Sequence, residues 1–397
     1  MRLSSTLLPR SERWLRAYCI FAAGTMLVLS AWGGRLHRHY PIFIEATRDY
    51  LHAVNPYHHA YDGSGVGSYW HYSPSAAAVF APFTLLPYGW GFFLYMGLSL
   101  AVLFTGFARL AQALRHQAAA WSGALFYLIV SNDVVGAVFG AKIELLTTGL
   151  LCHAFALLLR GKRTALAGAL VAFAFSLKLQ PIPVVGLLLW ALVLARKWTN
   201  LRTLLAAGAV TLTVAWGWPW AAMPAPFVRE TYATWISTLG SVAQESWGNY
   251  QALYQSLRDW LGWPREYDQV RVIAVVGALA YAAWLAGVAR RFARSWPKLL
   301  WGALGMGASY MVLFSPMGQG MAFVLGAPLV ALVCFRAGRR GSVLPQPAWI
   351  TALLAHWYVS SLSYSDLVPA HLQIPGARPM GFALLTALFA WDYLADN

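Results

Sequence analysis

The chain has 397 residues, of which 59% are hydrophobic and 11% are charged, and its mean hydropathy is +0.53. Soluble domains carry roughly a quarter charged residues, so most of this chain suits lipid rather than water. The net charge of +15 comes from basic residues in short clusters between apolar segments. That pattern is typical of the positively charged loops of membrane proteins and argues against a nucleic-acid-binding face.

The N-terminal segment combines four arginines within residues 1–16 with an apolar run over 17–33. The run approaches the length of a membrane span and ends in a bulky residue, which predicts a retained first helix rather than a cleaved signal peptide. Further apolar runs follow, bounded by basic or Pro/Gly-rich breaks. The twelve candidate spans are residues 17–33, 88–108, 118–132, 143–159, 164–177, 181–195, 201–217, 271–288, 299–314, 321–334, 349–362 and 379–393.

The basic clusters between these spans predict the sidedness, because Lys and Arg accumulate in cytoplasmic loops. Twelve spans place every such cluster, the tail over 1–16 and both termini in the cytoplasm. The two long loops, 34–87 and 218–270, then lie on the extracytoplasmic face of the cell (inner) membrane. The expected fold is all-α, with residues 1–397 forming one polytopic transmembrane helical bundle.

The first long loop begins with a predicted amphipathic helix over residues 41–53, which has a proline at its start. Glu45 and Asp49 are four residues apart and share one face of it. That face is either catalytic or the solvated edge of an interfacial helix. The apolar segment 75–86 is too short to span and contains a proline, so we interpret it as a helix in the outer leaflet.

Six of the ten histidines lie in this first loop. Imidazole suits zinc, iron and copper, but the spacings match no ligand motif, so we expect no bound metal and no cofactor. The cysteines, Cys19, Cys152 and Cys334, fall inside apolar runs. They predict neither a disulfide framework nor a metal cluster.

Only two of the five lysines, Lys142 and Lys178, lie outside the predicted cytoplasmic clusters. Lys178 stands at the predicted outer end of a span, where a cation must snorkel, pair or meet an anionic ligand. We favour a phosphate ligand over plain snorkelling, because an ammonium group suits phosphate as a point charge.

The second long loop contains the run ESWGNYQALYQSLRDWLG, which is predicted to be helical. Tryptophans and tyrosines alternate there with Asn249, Gln251 and Arg258. Aromatic and amide groups together suit the faces and hydroxyls of a sugar, and the aromatic residues equally suit an interfacial belt.

These segments together resemble glycosyltransferase family 87, whose members are integral membrane enzymes of the GT-C class. The similarity runs from about Arg35 to Cys334 and rests on the order and spacing of its parts. They are a helix ending in Ala53–Tyr57, then Tyr72-Ser73-Pro74 before a small-residue run ending in Leu86-Pro87, Gly140 before the fourth span, RGKRTALAGALVAFAFSLKLQP with Lys178, GNYQAL around Asn249, and Leu313-Phe314-Ser315-Pro316.

The resemblance implies a polyprenyl-phosphate sugar donor and transfer at the outer leaflet. The family's general base is usually an aspartate at the start of the first-loop helix, and His39 stands at that position here. The family's Gly-Gln pair reads Gly140-Ala141, and the Trp and His that often follow Ser-Pro are Gln319 and Met321.

The expected function is transfer of a mannose-like hexose or pentose from the polyprenyl-phosphate donor to an envelope glycan, a glycolipid or a protein. The lipid bilayer is a further expected partner, and no nucleic-acid partner is expected. One base suffices, since the leaving phosphate needs no proton. The candidate residues are His39, then Asp49, then Glu45 as base; Lys178, Lys142 and Arg258 for the donor phosphate; and Asn55, Tyr57, Tyr72, Asn249 and Gln251 for the acceptor or sugar.

Two other functions remain open at this stage. A transporter or flippase of a lipid-linked or anionic solute would also need cations within the membrane. Transporters tend to show paired internal repeats, however, and none is evident in this sequence. A catalytically silent relative acting as an assembly partner would explain the missing aspartate.

Overall fold

A computed structural model gives the architecture of the protein. It describes residues 10–32, 39–61, 70–114, 122–161, 163–245, 267–314, 320–337, 346–362 and 377–395, and the single residues 253, 257 and 262. Regular structure in the described residues is helical, with no strand. The α-helices are α1 (Arg10–Trp32), α2 (Tyr40–Leu51), α3 (Ala76–Thr84), α4 (Tyr88–Leu114), α5 (Ser122–Phe139), α6 (Glu144–Leu159), α7 (Thr164–Leu177), α8 (Ile182–Leu194), α9 (Trp198–Ala222), α10 (Ala225–Glu245), α11 (Tyr267–Arg291), α12 (Trp296–Leu313), α13 (Ala327–Ala337), α14 (Gln346–Leu362) and α15 (Ala377–Ala395).

Five of these helices are long and apolar enough to cross a membrane, namely α1, α4, α5, α9 and α11. Shorter apolar helices include α6, α7 and α8. Large apolar side chains remain exposed along the long helices, for example Phe21 at 72%, Val214 at 67% and Leu279 at 65%. Such surface is stable in hydrocarbon and not in water. The expected all-helical, multi-pass membrane bundle is confirmed.

The helices alternate in direction, so the bundle has two ends. At one end, α4, α6 and α8 begin while α5, α7 and α9 finish; we call this the site end. At the opposite end, Arg160 after α6 donates to Gln112 near the end of α4, at 2.6 Å. Arg336 of α13 meets Asp392 of α15 there as well.

Helices α4 and α6 cross closely through glycines. A Cβ on Gly149 would stand 2.7 Å from the backbone nitrogen of Leu103, and one on Gly106 would stand 2.7 Å from the carbonyl oxygen of Gly149. Small residues permit such approach between membrane helices, where dispersion rather than the hydrophobic effect drives association. This contact fixes the beginning of α6, which carries part of the site.

The first long loop is packed on the site end by buried aromatic rings. Phe43 of α2 stacks on Phe80 of α3 at 4.5 Å between centroids, and its ring meets Tyr72 at 5.0 Å. Tyr40 packs edge-on against Phe92 of α4 at 5.3 Å. The predicted first-loop helix over 41–53 and the short helix within 75–86 are thus present as α2 and α3, and their aromatic contacts hold α2 in a fixed orientation.

Two stretches differ from the sequence-based expectation. The predicted loop over 218–270 contains α10, which follows a break at Met223 after α9. The predicted span 321–334 begins as a 3₁₀ segment, Gly320–Gly326, and becomes α-helical only at α13. Pro328 explains that change, because its missing N–H cannot bond back to the preceding turn and is tolerated only in the first turn of an α-helix.

Candidate functional site

His39 and Lys142 meet at the site end. His39 immediately precedes α2, and Lys142 lies between α5 and α6 with 4% of its surface exposed. The Lys142 Nζ and His39 Nε2 atoms are 2.6 Å apart. Lysine normally ionises about four pKa units above histidine, so the ammonium is the donor and a neutral imidazole accepts through Nε2. The proton of that imidazole is then on Nδ1.

The turn that presents Lys142 has an unusual backbone. Ala141 adopts a left-handed conformation, with φ of 51°. Its N–H bonds to Val138 O, and the N–H of Lys142 bonds back to Ala137 O at 2.8 Å. This is a helix C-cap normally filled by glycine. An alanine there costs about 1 kcal/mol, so the turn that directs Lys142 is held by its surroundings.

The second lysine is held by a buried carboxylate. Lys178 caps the end of α7 in an extended conformation, and Glu144 is the first residue of α6. The Lys178 Nζ lies 2.6 Å from Glu144 Oε1, and the side chains are 18% and 3% exposed. Lys178 also lies 5.7 Å from the ring centroid of Tyr72, within cation–π range.

The Tyr72-Ser73-Pro74-Ser75 segment packs the first loop against this lysine. The Ser73 hydroxyl donates to the carbonyl oxygen of Ser176, near the end of α7, at 2.5 Å. The Trp218 indole of α9 donates to the carbonyl oxygen of Ser75 at 3.2 Å. These bonds join the first loop to the ends of α7 and α9, and the bond to Ser176 explains why Tyr72 lies over Lys178.

The other two candidate bases lie on the side of α2 away from the core. Glu45 is exposed and Asp49 is half-buried. The Tyr61 hydroxyl donates to Asp49 Oδ2 at 2.9 Å. Burial, then the hydrogen bond to Asp49, raises the pKa of the Tyr61 phenol well above its ordinary value, so Tyr61 stays protonated and occupies that carboxylate oxygen.

Asn55 and Tyr57, expected at an acceptor site, make structural contacts. The Asn55 amide donates to Glu230 Oε1 at 3.0 Å and to Thr234 Oγ1 at 3.2 Å, and its oxygen accepts from the N–H of Tyr57. The Tyr57 hydroxyl donates to the carbonyl oxygen of Tyr72 at 2.6 Å. Both residues therefore fasten the first loop. Asn249, Gln251 and Arg258 lie outside the described residues.

The structure brings His39, Lys142, Lys178 and Tyr72 together at one end of the bundle, with Glu45 and Asp49 on the adjoining helix. It adds Glu144, which the sequence analysis did not single out. A signal for it existed: an acid inside an apolar run is costly and requires a partner, and Glu144 is the second residue of the predicted span 143–159, two residues after Lys142. Two of the three charged groups Lys142, Lys178 and Glu144 are cations, and cations at the end of a membrane bundle suit an anionic ligand.

These features define a multi-pass helical membrane protein with a cationic site at one end of its bundle. The profile of glycosyltransferase family 87 matches residues 70–316, which is more than half of the chain. The chain therefore belongs to glycosyltransferase family 87 and is a membrane glycosyltransferase, so the resemblance inferred from the sequence is confirmed.

Comparison with curated proteins gave no match. Among solved structures, ArnT from Cupriavidus metallidurans in the apo state aligns over 96% of this chain and 77% of its own, with 14% identity and a TM-score of 0.47. The same protein bound to undecaprenyl phosphate aligns over the same shares, with 14% identity and a TM-score of 0.42.

Proposed function

We propose that the protein transfers a hexose or pentose, mannose-like, from a polyprenyl-phosphate donor to an envelope glycan, a glycolipid or a protein. Transfer takes place at the extracytoplasmic face of the cell (inner) membrane. One observation carries the proposal: Lys142, beside His39, and Lys178 lie around the buried carboxylate of Glu144 at the site end. A lipid phosphate binds to the two ammonium groups and anchors its polyprenyl chain in the bilayer.

In the proposed reaction, an acceptor hydroxyl oxygen bonds to the anomeric carbon of the donor sugar. The bond from that carbon to the phosphate oxygen breaks, and its electron pair leaves with the polyprenyl phosphate. The hydroxyl proton moves to the base. Lys178 and Lys142 stabilise the charge that develops on the leaving phosphate, which is the larger electrostatic task in the step.

His39 is the first candidate for the base. Its Nε2 accepts a hydrogen bond from Lys142, so the lone pair is available to a substrate hydroxyl only when that ammonium moves. A donor phosphate attracts Lys142 and thereby uncovers Nε2. Asp49 ranks second because Tyr61 already donates to one of its oxygens. Glu45 ranks third, since it is exposed and its carboxylate is more strongly hydrated.

The donor site is tested by Lys178→Met, with Lys197→Met as the matched control. Lys197 is an exposed lysine that precedes α9 at the opposite end. Cell-envelope glycans are compared by mass spectrometry in cells lacking the gene and in cells complemented with each variant. Burying a phosphate without its partner charge is strongly unfavourable, so Lys178→Met should abolish the gene-dependent glycan. The glycan is compared per amount of folded protein, because the variant also leaves buried Glu144 without its partner. Full restoration by Lys178→Met would reduce Lys178 to a snorkelling residue.

The sidedness is tested by reporter fusions along the chain. Fusions at Arg115, Arg163, Arg202, Arg294 and Arg340 should report cytoplasm, and fusions at Asp62, Glu245 and Asp366 should report the outside. If Asp62 and Leu86 report opposite sides, the segment between them spans the membrane and the span count changes.

A further inference from the structure

Glu144 places a negative charge where the proposed function needs to bind a phosphate. It is 2% exposed, and its Oε1 accepts from Lys178 at 2.6 Å. Its other oxygen, Oε2, is buried without a hydrogen-bond partner among the described residues. Lys142 acts on the same carboxylate electrostatically. A buried acid that repels the ligand of its own site requires an explanation beyond packing.

The ammonium of Lys178 can bind Glu144 and an anionic ligand at the same time. An ammonium group has three N–H donors. Glu144 takes one from Lys178, while the Tyr72 ring lies 5.7 Å from Nζ. The other donors can serve a ligand that approaches from the partly exposed side of Lys178. Glu144 therefore orients this ammonium, and it also competes with any anion that binds there.

The charge of the lipid phosphate changes during transfer. The donor is a phosphodiester with one negative charge, whereas the released polyprenyl phosphate is a monoester with about −1.5 to −2 at neutral pH. Lys142, Lys178 and Glu144 sum to one positive charge, which matches the diester. Without Glu144 the sum would be two, which matches the monoester and would hold the product.

We propose that Glu144 is a positioning residue that sets the preference of the site for the diester donor over the monoester product, and so promotes product release. This inference rests on the proposed function, because it takes a polyprenyl phosphate as the ligand. It concerns release rather than the chemical step, and it assigns no proton transfer to Glu144.

The experiment measures binding of two sugar-free probes to the full chain in nanodiscs at pH 7.5. They are farnesyl phosphate, a monoester, and farnesyl methyl phosphate, a diester. Glu144→Gln should tighten farnesyl phosphate about tenfold and the diester much less, so that the ratio of the two Kd values changes. Glu230→Gln is the control, since it removes an exposed carboxylate near the first loop and should leave the ratio unchanged.

Each outcome separates the two proposals. If the unmodified protein binds neither probe, the proposed donor is wrong and the role of Glu144 is wrong with it. If both probes bind and Glu144→Gln weakens them equally, Glu144 is only structural, and the donor proposal stands.

If Glu144→Gln does not fold, the unmodified protein still tests the inference. A site that prefers the diester should bind farnesyl methyl phosphate at least as tightly as farnesyl phosphate at pH 7.5. Tighter binding of the monoester by the unmodified protein would overturn the inference.

Discussion

The two ends of the bundle contain buried charges in different arrangements. At the opposite end, the Arg336 guanidinium of α13 donates two hydrogen bonds to Asp392 of α15. One goes to the carboxylate oxygen Oδ2, and the other, at 2.9 Å, goes to the backbone carbonyl oxygen. Asp392 is fully buried and the Arg336 guanidinium lies 5.0 Å from the ring centroid of Tyr393. Arg336 and Asp392 are paired directly in this contact, and the ammonium of Lys298 lies 5.9 Å from the centroid of the same Tyr393 ring. At the site end, Glu144 is bonded to Lys178 and is also influenced by the charge of Lys142.

The two arrangements suit different roles: a direct ion pair suits a structural contact between helices, whereas a group with two cations suits the binding of an anionic ligand. A balanced buried pair needs no further ligand and joins two helices, as Asp133 of α5 and Arg378 of α15 also do. An unbalanced cluster in a low-dielectric setting is costly unless an anion completes it. Under the proposed function, the lipid phosphate is the anion that binds to the ammonium groups of the site end.

The largest effect is expected from breaking the balanced pair. Arg336→Met should lower the free energy of unfolding by about 3–5 kcal/mol, because it leaves the Asp392 carboxylate buried without its partner. Thermal unfolding in detergent or nanodiscs measures the loss, and specific activity of the folded fraction should change little. The pair replacement Arg336→Met/Asp392→Leu should recover much of the stability. An Arg336→Met protein as stable as the parent would show that the pair does not hold the helices together.

The next effect concerns the base. His39→Ala should lower turnover by at least about a hundredfold, the usual scale for a lost general base, while thermal stability stays near that of the parent. His39→Asp should retain or restore part of the activity. Matched variants Glu45→Ala and Asp49→Ala complete the comparison. If only Asp49→Ala abolishes transfer, the base lies on the other face of α2 and the ranking is wrong.

A smaller effect is expected from pH. A base that works as a neutral imidazole loses activity on acidification, because the imidazole gains a proton. Turnover at saturating donor should therefore fall with acidification in the parent, and the profile of His39→Asp should hold to lower pH, because carboxylates stay ionised to about pH 4. Identical profiles for the two proteins would exclude His39 as the titrating base.

The sequence predicted the elements of the site better than their partners. Hydrophobic run length and basic loops indicated the helices, and the proline-led amphipathic pattern located α2. Scarcity of lysine singled out Lys142 and Lys178. Their partners depend on contacts between residues far apart in the chain: Lys142 meets His39 across 103 positions, and Lys178 meets Glu144 across 34. Local patterns contain no information on such pairing.

Asn55 shows that a residue can also be singled out by its sequence and then be found in packing contacts. Its place in the Ala53–Tyr57 segment, on which the resemblance to the family partly rests, suggested a role in binding the acceptor or the sugar. The structure places it 9% exposed, between the first loop and α10. Whether an amide faces a ligand or a neighbouring helix is decided by packing. The sequence pattern of the turn is the same in both cases.

The smallest effect is expected from removing the contact between Asn55 and α10. Asn55→Ala should lower the free energy of unfolding by about 1–3 kcal/mol, because it removes the bonds to Glu230, Thr234 and the Tyr57 N–H and leaves a buried N–H unpaired. Thr234→Val removes one of those bonds and should cost less. Thermal unfolding measures both losses, and the KM for acceptor should be unchanged in Asn55→Ala. A raised acceptor KM at unaltered thermal stability would instead assign Asn55 to the acceptor site, and the link between the first loop and α10 would then be part of substrate recognition rather than of the fold.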